Sequence, residues 1–372
     1  MDAYIGFFLK WMPESFFICL ILTIIVALMS LTMTDTPFWS FSPKTVSVIS
    51  AWTGGFWSLL AFTMQMVVLL ATGNAVAASP PAIKAMGALA RLPRTRAQFL
   101  ILGAAVSAIL GYIHWGLGMM GAIVLGRQLM VQAKLKGVKL HMPSMVATVF
   151  MAFLPSSAGI SGAAPLFAAT PNYLRNLVDA SYKALTPETV PLDMSVATPG
   201  FIMLLAVCMT IVVVFNIIMH PKKEDQIIEI DDETVKATTS GASNIQIDRN
   251  TPAEKANACR WVMYLFGSVG LAYSFVALYN VGLAGLNLNV FNFLFISLGL
   301  LLNAQQGPEY YAKLIQEGIM GTWGFTLQFP FYAGIFGIMN ATGLGIVISH
   351  FFTSIATAQT WPAIAFVYSA LL

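Results

Sequence analysis

The sequence predicts an all-α polytopic membrane protein, and three observations support this: its composition, its long apolar runs and the placement of its charges. Hydrophobic residues make up 58% of the 372 residues and charged residues only 9%, and the mean hydropathy is +0.76. Soluble domains of this length are far more polar. Nucleic-acid binding would require a dense basic face, which the chain lacks, so we expect no nucleic-acid partner. The lipid bilayer is the expected environment.

Seven apolar runs have about the length of a membrane span. The first, residues 15–33, has no small-residue cleavage site behind it and predicts a retained helix. With a cytoplasmic N-terminus, every Lys and Arg except Lys44, Arg175 and Lys183 lies on the cytoplasmic side, as membrane proteins prefer. The predicted spans are 15–33, 54–79, 143–170, 199–219, 261–281, 288–303 and 319–343.

Residues 97–126 form a further apolar stretch with basic residues on both sides, such as Arg96 before it and Arg127 after it. Because basic loops stay in the cytoplasm, this stretch is predicted to enter the bilayer and turn back as a re-entrant hairpin. Backbone that turns at membrane depth must be surrounded by protein or by a water-filled cavity. A transport pathway is therefore the first hypothesis. Glycines that would permit the turn are Gly111, Gly116, Gly118 and Gly121.

A weak internal repeat predicts two related halves. The letters FTMQM at 62–66 recur as FTLQF at 325–329, each after a Trp, in spans predicted to run in opposite directions. This is the relation of inverted repeats that meet at the bilayer midplane. The predicted division is a first repeat at 1–219, with the hairpin and a broken helix at 143–170, a polar and flexible cytoplasmic linker at 220–260, and an incomplete second repeat at 261–372.

The repeat also predicts where the second half stops. Its offset maps His114, the expected tip of the first hairpin, to a position beyond Leu372, so the second hairpin is expected to be C-terminally truncated. A carrier draws binding energy from both repeats. We therefore expect the 372-residue chain to be inactive alone unless another polypeptide supplies the missing half.

The predicted spans contain no acidic residue, which argues against a proton relay of carboxylates. The three cysteines have no metal-ligand spacing, and no cofactor is expected; Na⁺ and H⁺ both stay open as coupling ions. Helices broken by glycine present backbone N–H groups at their N-termini. Such groups suit an anion without a buried Lys.

His114 is the only histidine within a predicted span and is the first candidate substrate-binding residue, together with Trp115 and Gly116. A neutral imidazole can donate one hydrogen bond to a carboxylate or titrate near neutral pH. The alternative is a structural histidine bonded to a nearby backbone carbonyl. We favour the functional interpretation, because ionisable residues inside membranes are usually functional.

A second candidate is the run LPSSAGISG at 154–162, which interrupts an apolar stretch. Pro155 removes a backbone donor and the glycines permit unusual dihedral angles, so an unwound segment is predicted. Serine hydroxyls and freed carbonyls there are candidates to bind Na⁺ or the substrate. The alternative is a kinked helix whose serines bond back to its own carbonyls. The candidate residues are Ser156, Ser157, Gly159, Ser161 and Gly162.

Gln65 and Gln328 are polar side chains at corresponding positions of the two repeats. An amide within a span needs partners, and hydrogen bonding between helices is its commoner role. The alternative is direct lining of the pathway. Both glutamines are kept as candidate substrate-binding residues.

Four motifs resemble the bacterial short-chain fatty acid transporter family: GFWSLLAFTMQ at 55–65, HWGLG at 114–118, PLFAATP at 165–171 and QFPFYAG at 328–334. The likeness spans nearly the whole chain and extends to the broader ion transporter superfamily. It implies inverted repeats with re-entrant hairpins, and substrates such as butyrate or acetoacetate. That family continues past the equivalent of Leu372 into a glycine-rich second hairpin.

The sequence therefore predicts a secondary carrier of the bacterial inner membrane, with a cytoplasmic N-terminus, that imports small monocarboxylates by symport. A dicarboxylate or other organic anion carrier on the same scaffold is the alternative, as is an inactive fragment of such a carrier. An intramembrane enzyme would need a nucleophile with a base or a metal set, so the chain is not expected to be an enzyme. A membrane sensor would append a soluble domain. A homo-oligomer is left open.

Overall fold

The computed structural model describes residues 6, 10–42, 44–151, 153–178, 183–239, 250–282 and 286–371. Within these ranges the chain forms α-helices and two short 3₁₀ turns, with no strand. The predicted all-α membrane class is confirmed. The chain divides into two compact units, one of residues 1–64 and 322–372 and the other of residues 65–321. The predicted repeats at 1–219 and 261–372 concern internal symmetry rather than packing and stay a prediction.

The helices are numbered here in chain order. Up to the predicted linker they are α1 (Ser15–Met33), α2 (Val48–Gly55), α3 (Leu60–Ala77), α4 (Pro80–Ala90), α5 (Arg96–Ile113), α6 (Trp115–Leu135), α7 (Met142–Phe150), α8 (Phe153–Ser157), α9 (Ala163–Ala168), α10 (Tyr173–Leu177) and α11 (Pro199–Met219). After it come α12 (Asp232–Thr239), α13 (Pro252–Asn257), α14 (Arg260–Val281), α15 (Leu288–Asn303), α16 (Pro308–Met320), α17 (Trp323–Ala341), α18 (Leu344–Ile355) and α19 (Trp361–Leu371).

Five helical stretches of the described residues are long and apolar enough to cross a membrane: 15–33, 60–77, 96–113, 199–219 and 252–280. The pair α17 and α18 is bent by 75° and forms a sixth candidate. The run predicted as a broken helix at 143–170 is divided into α7, α8 and α9. His350 lies in α18, so the expectation that His114 is the only histidine within a span is wrong if the bent pair crosses as one span.

In the unit of residues 1–64 and 322–372, α17 packs on α1 and α2. Gly55 and Gly337 bring the backbones of α2 and α17 together, since a Cβ atom on either glycine would lie within 3.0 Å of the other's backbone. A cavity of about 370 Å³ opens beside this crossing, lined by residues such as Ser50, Ser58 and Asn340. The apolar core of this unit includes Val26, Val48, Ile335, Ile338 and Leu344.

In the unit of residues 65–321, α5 and α6 form an antiparallel helical hairpin. Phe99 and Leu100 near the start of α5 share a buried core with Leu125 and Leu129 towards the end of α6. The open ends are tied together, because the Lys136 ammonium donates hydrogen bonds to the carbonyls of Arg91 and Pro93, and the Arg96 guanidinium donates to Lys139 O. The two ends of the hairpin therefore lie on the same side. The helix lengths fit a re-entrant hairpin and a pair of complete spans alike, so the re-entrant depth stays a prediction.

Glycines in this hairpin serve close packing, not unusual dihedral angles. The chain reverses at His114, in extended backbone, and Gly111, Gly116, Gly118 and Gly121 all keep negative φ. Gly118 rests on the backbone of Gly111, and a Cβ atom on Gly73 of α3 would lie 2.5 Å from the carbonyl carbon of Gly116. Small residues allow helices to approach in this way inside membranes.

The predicted linker is not featureless where it is described. Residues 220–232, here called the strap, fold back over the open ends of the hairpin. Ile228 N donates to His141 Nδ1 (3.0 Å), and Met142 N donates to Ile228 O (2.7 Å). Lys134 Nζ donates to Ile230 O and pairs with Asp232, both at 2.6 Å. Polarity alone does not reveal such backbone bonds, which is why the composition predicted a flexible segment. Residues 240–249 of the predicted linker lie outside the described residues.

Two imidazoles of the strap contact act as hydrogen-bond acceptors. His220 Nε2 accepts from His141 N (3.0 Å), while His220 Nδ1 donates to Pro221 O (2.9 Å). Burial lowers the pKa of both His141 and His220, and for His220 the nearby Arg96 guanidinium lowers it further. Both rings are therefore held neutral, the form that can accept these bonds.

Replacing Gly73 by Ala should destabilise the protein, because the new methyl group would meet the backbone of Gly116, which cannot move like a flexible side chain. We expect a loss of roughly 1–3 kcal/mol, measured as thermal unfolding in detergent. Gly87→Ala in α4 is the matched control, since its nearest neighbour is the flexible Gln128 at 3.7 Å. That control should be neutral or slightly stabilising. Equal unfolding temperatures for the two variants would contradict the close packing.

Acid should release the strap. The docked form gains stability above the ordinary histidine pKa of 6.5 and loses it as the pH falls below that value, because the folded pKa values are lowered. The protection of the Ile228 amide against hydrogen exchange, corrected for the intrinsic rate, should fall several-fold from about pH 7.5 to about pH 5.5. His141→Phe should remove protection at both pH values, whereas His350→Ala should keep the wild-type response. A protection factor independent of pH would rule out imidazole control.

Candidate functional site

The candidate site is built around His114, the single residue between α5 and α6. Its φ of −150° and ψ of 120° end one helix and begin the next. Its Nδ1 accepts a hydrogen bond from Leu117 N at 3.0 Å and so caps α6. The ring is completely buried, and its Nε2 has no hydrogen-bond partner among the described residues. Among the described residues the ring makes no hydrogen bond to a nearby carbonyl, which is the bond that the structural alternative predicted.

The second predicted element meets this tip directly. Residues 158–162, between α8 and α9, are unwound and are here called the broken segment. Trp115 N donates to Ser161 Oγ at 2.5 Å, and Ile160 N donates to Tyr112 O at 2.8 Å. Gly159 lies against the backbone of Tyr112, where no Cβ atom would fit. The structure thus brings together the hairpin tip and the broken segment, which α6, α7 and α8 separate in the sequence.

The third side of the site comes from α15. His114 stacks on Phe291 with ring centroids 5.2 Å apart and an interplanar angle of 25°. The ring of Phe295 lies closer, at 3.9 Å between centroids. Both phenylalanines are almost fully buried. These aromatic residues were missed in the sequence, because an apolar run gives no sign of which face meets a histidine.

Amide side chains join α15 to α3 beside this histidine. Asn292 Nδ2 donates to Gln65 O at 3.1 Å, and Gln65 Nε2 donates to Asn289 Oδ1 at 2.6 Å. One turn further along α3, Leu69 and Leu70 contact the backbone of Gly116. Asn292 is 6% exposed, and its Oδ1 has no hydrogen-bond partner among the described residues. The signal that could have found it is an amide within an apolar run.

The other predicted residues have different surroundings. Ser156, which precedes the broken segment, and Gly162, its last residue, are buried, whereas Ser157 is exposed. Gln328 belongs to the unit of residues 1–64 and 322–372, where its Nε2 donates to Ser15 Oγ at 2.7 Å. Both glutamines therefore make hydrogen bonds between helices, the commoner role weighed from the sequence. A role for either in substrate binding stays a prediction.

The N-terminus of α6 differs from the expected anion site. Two of its first N–H groups, those of Trp115 and Leu117, are already bonded to Ser161 and His114. Side chains that contact the His114 ring, Phe291 and Phe295, are neutral. The described residues contain no group of three or more His, Cys, Asp or Glu that could hold a metal ion. The site therefore provides one buried hydrogen-bond donor, one buried hydrogen-bond acceptor and aromatic faces.

Comparisons with known proteins identify the family of this chain. The family model described as "Short chain fatty acid transporter" matches residues 2–372. Two relatives carry the name "Putative short-chain fatty acid transporter": one from Haemophilus influenzae, 29% identical over 98% of this chain and 77% of its own length, and one from Escherichia coli, 28% identical over the same shares. No solved structure matches. With a helical membrane fold and a family match over nearly its whole length, this chain belongs to the short-chain fatty acid transporter family.

Proposed function

We propose that this chain imports short-chain monocarboxylates, such as butyrate or acetoacetate, across the bacterial inner membrane by symport, with His114 as the central substrate-binding residue. The observation that carries the proposal is the completely buried imidazole whose Nε2 lacks a partner, held where a helix break, an unwound segment and α15 meet. Buried polar atoms in native proteins are nearly always bonded, so an unpaired one at such a place suggests a ligand. The family and the names of the two relatives support the substrate class.

The residues of the proposed site have distinct tasks. His114 donates a hydrogen bond from Nε2 to the carboxyl group of the substrate, while its Nδ1 caps α6. Ser161 fixes the tip through Trp115 N, and Gly116 and Gly159 allow α3 and the broken segment to approach closely. These contacts fix the ring before the substrate arrives, which reduces the ordering cost of binding.

A dicarboxylate carrier on the same scaffold is the alternative, and the surroundings of His114 argue against it. A second carboxylate buried there would lie against Phe291 and Phe295, whose neutral rings provide no positive charge to pair with it. Burying an unpaired charge in this way is costly. We therefore favour a substrate with one carboxyl group and a short apolar chain.

The purified chain in nanodiscs should bind radiolabelled butyrate saturably. Unlabelled acetoacetate should compete, since both acids have one carboxyl group on a short chain, whereas succinate should compete weakly. Equilibrium binding at a fixed pH, with empty nanodiscs as the blank, is the measurement. Stronger competition by succinate than by acetoacetate would favour the dicarboxylate alternative, and no saturable binding would refute the proposal for this chain in favour of an inactive fragment.

His114→Ala and His114→Gln should both weaken butyrate binding, by about tenfold or more for Ala, because each removes the imidazole Nε2 donor. Ala should also cost about 1 kcal/mol of stability, since it leaves Leu117 N without its cap. His141→Ala is the matched control, because that histidine contacts the strap and not the hairpin tip. Unchanged binding in both His114 variants would remove this residue from the site.

A further inference from the structure

Two buried polar atoms near the hairpin tip lack partners among the described residues: His114 Nε2 and Asn292 Oδ1. They are here called the orphan pair. Both residues are at least nine-tenths buried, with His114 at 0% and Asn292 at 6% exposed. A buried polar group without a hydrogen bond costs roughly 1–3 kcal/mol. Two of them on elements that contact each other, the hairpin tip and α15, suggest one ligand that satisfies both.

The hydrogen bonds identify which atom of the orphan pair donates. His114 Nδ1 accepts from Leu117 N, so it carries no proton, and the proton of the neutral ring is on Nε2. Asn292 Nδ2 donates to Gln65 O, so its other atom, Oδ1, is a carbonyl acceptor. The orphan pair therefore consists of one donor and one acceptor.

The packing brings both residues of the orphan pair to the place where α15 meets the hairpin tip and α3. Phe291 and Phe295 both contact the His114 ring, and Asn292 lies between them in the sequence. On the other side, α3 contacts both partners, through Gln65 O to Asn292 and through Leu69 and Leu70 to Gly116. A ligand at this junction of the hairpin tip, α3 and α15 would therefore lie close to both residues of the orphan pair.

A protonated carboxyl group has the matching pattern, since its O–H donates and its C=O accepts. A carboxylate has acceptors only, so it would pair with His114 Nε2 but would face Asn292 Oδ1 as a second acceptor. Burial among Phe291 and Phe295 further favours the uncharged form, because desolvation penalises a carboxylate. The N–H groups of Trp115 and Leu117, which could have compensated its charge, are already bonded.

We propose that the orphan pair binds the substrate as the protonated, uncharged acid, with its C=O accepting from His114 Nε2, its O–H donating to Asn292 Oδ1, and its alkyl chain on Phe291 and Phe295. This inference rests on the proposed function and adds the protonation state. The carboxylate takes up one proton from water before it binds and releases it after it leaves, so one proton crosses with each substrate. No carboxylate relay within the spans is needed, and H⁺ becomes the coupling ion.

The test is equilibrium binding of radiolabelled butyrate to the full chain in nanodiscs at about pH 6, 7 and 8. Passive diffusion of butyrate across the bilayer does not affect this measurement. The Kd for total butyrate should rise about tenfold per pH unit, because the protonated fraction of a carboxyl group with an ordinary pKa falls tenfold per unit. Butyramide carries an N–H donor and a C=O acceptor without charge, so it should compete equally at each pH. Propane-1-sulfonate, which stays anionic, should not compete.

The opposite pattern would overturn the inference. A Kd independent of pH, with displacement by propane-1-sulfonate and not by butyramide, would show that the site takes the anion while leaving the proposed function intact. Absence of saturable butyrate binding at every pH would contradict the proposed function and this inference together. The two failures are thereby distinguished with the unmodified chain.

A pair of α15 variants localises the effect. Asn292→Leu removes the acceptor while keeping the branched shape and the number of side-chain heavy atoms, and it should weaken both butyrate and butyramide binding by about tenfold or more. Asn303→Leu is the matched control, because Asn303 Nδ2 likewise donates to α3, at Ala75 O, but lies three turns further along α15. It should retain wild-type affinity and pH dependence, with unfolding temperatures measured for both. Equal losses of affinity in the two variants would refute the role of Asn292.

Discussion

A buried helix break is tolerated only where protein groups bond the backbone atoms that it frees, and the reversal at the buried His114 depends on this constraint. Three bonds satisfy it: Ser161 Oγ accepts from Trp115 N, the His114 ring accepts from Leu117 N, and Tyr112 O accepts from Ile160 N. Two of the three come from the broken segment. The hairpin and the broken segment therefore stabilise each other.

Close approach of backbones extends this arrangement to α3 and α15. Gly73 and Gly116 bring α3 against the tip, and α3 in turn receives Asn292 from α15. The side chains against the imidazole, Phe291 and Phe295 of α15, are neutral. A neutral, buried setting is a poor place for a charge and a suitable place for a small molecule that is both polar and uncharged.

The open ends of the hairpin are held by a different kind of interaction. Lys136 and Arg96 bond backbone carbonyls, while Lys134 and His141 hold the strap. Charged groups and the strap histidines are thus concentrated at this end of the hairpin, whereas the tip contains the buried His114. The two ends of one hairpin respond differently to pH for that reason, since the strap histidines lose their acceptor role on protonation.

The sequence by itself determined the membrane class, because spans of about twenty apolar residues have no other stable environment, and the limits of α1, α11 and α15 follow from it directly. It also determined that the chain breaks at His114 and near 158–162, where polar and helix-breaking residues interrupt apolar runs. Only the tertiary structure decided that the glycines pack rather than bend, that the N–H groups of Trp115 and Leu117 are already bonded, and that Asn292 joins α15 to α3. The physical reason is that hydrogen-bond partners and packing faces depend on contacts between distant segments, which residue patterns along a single apolar helix do not encode.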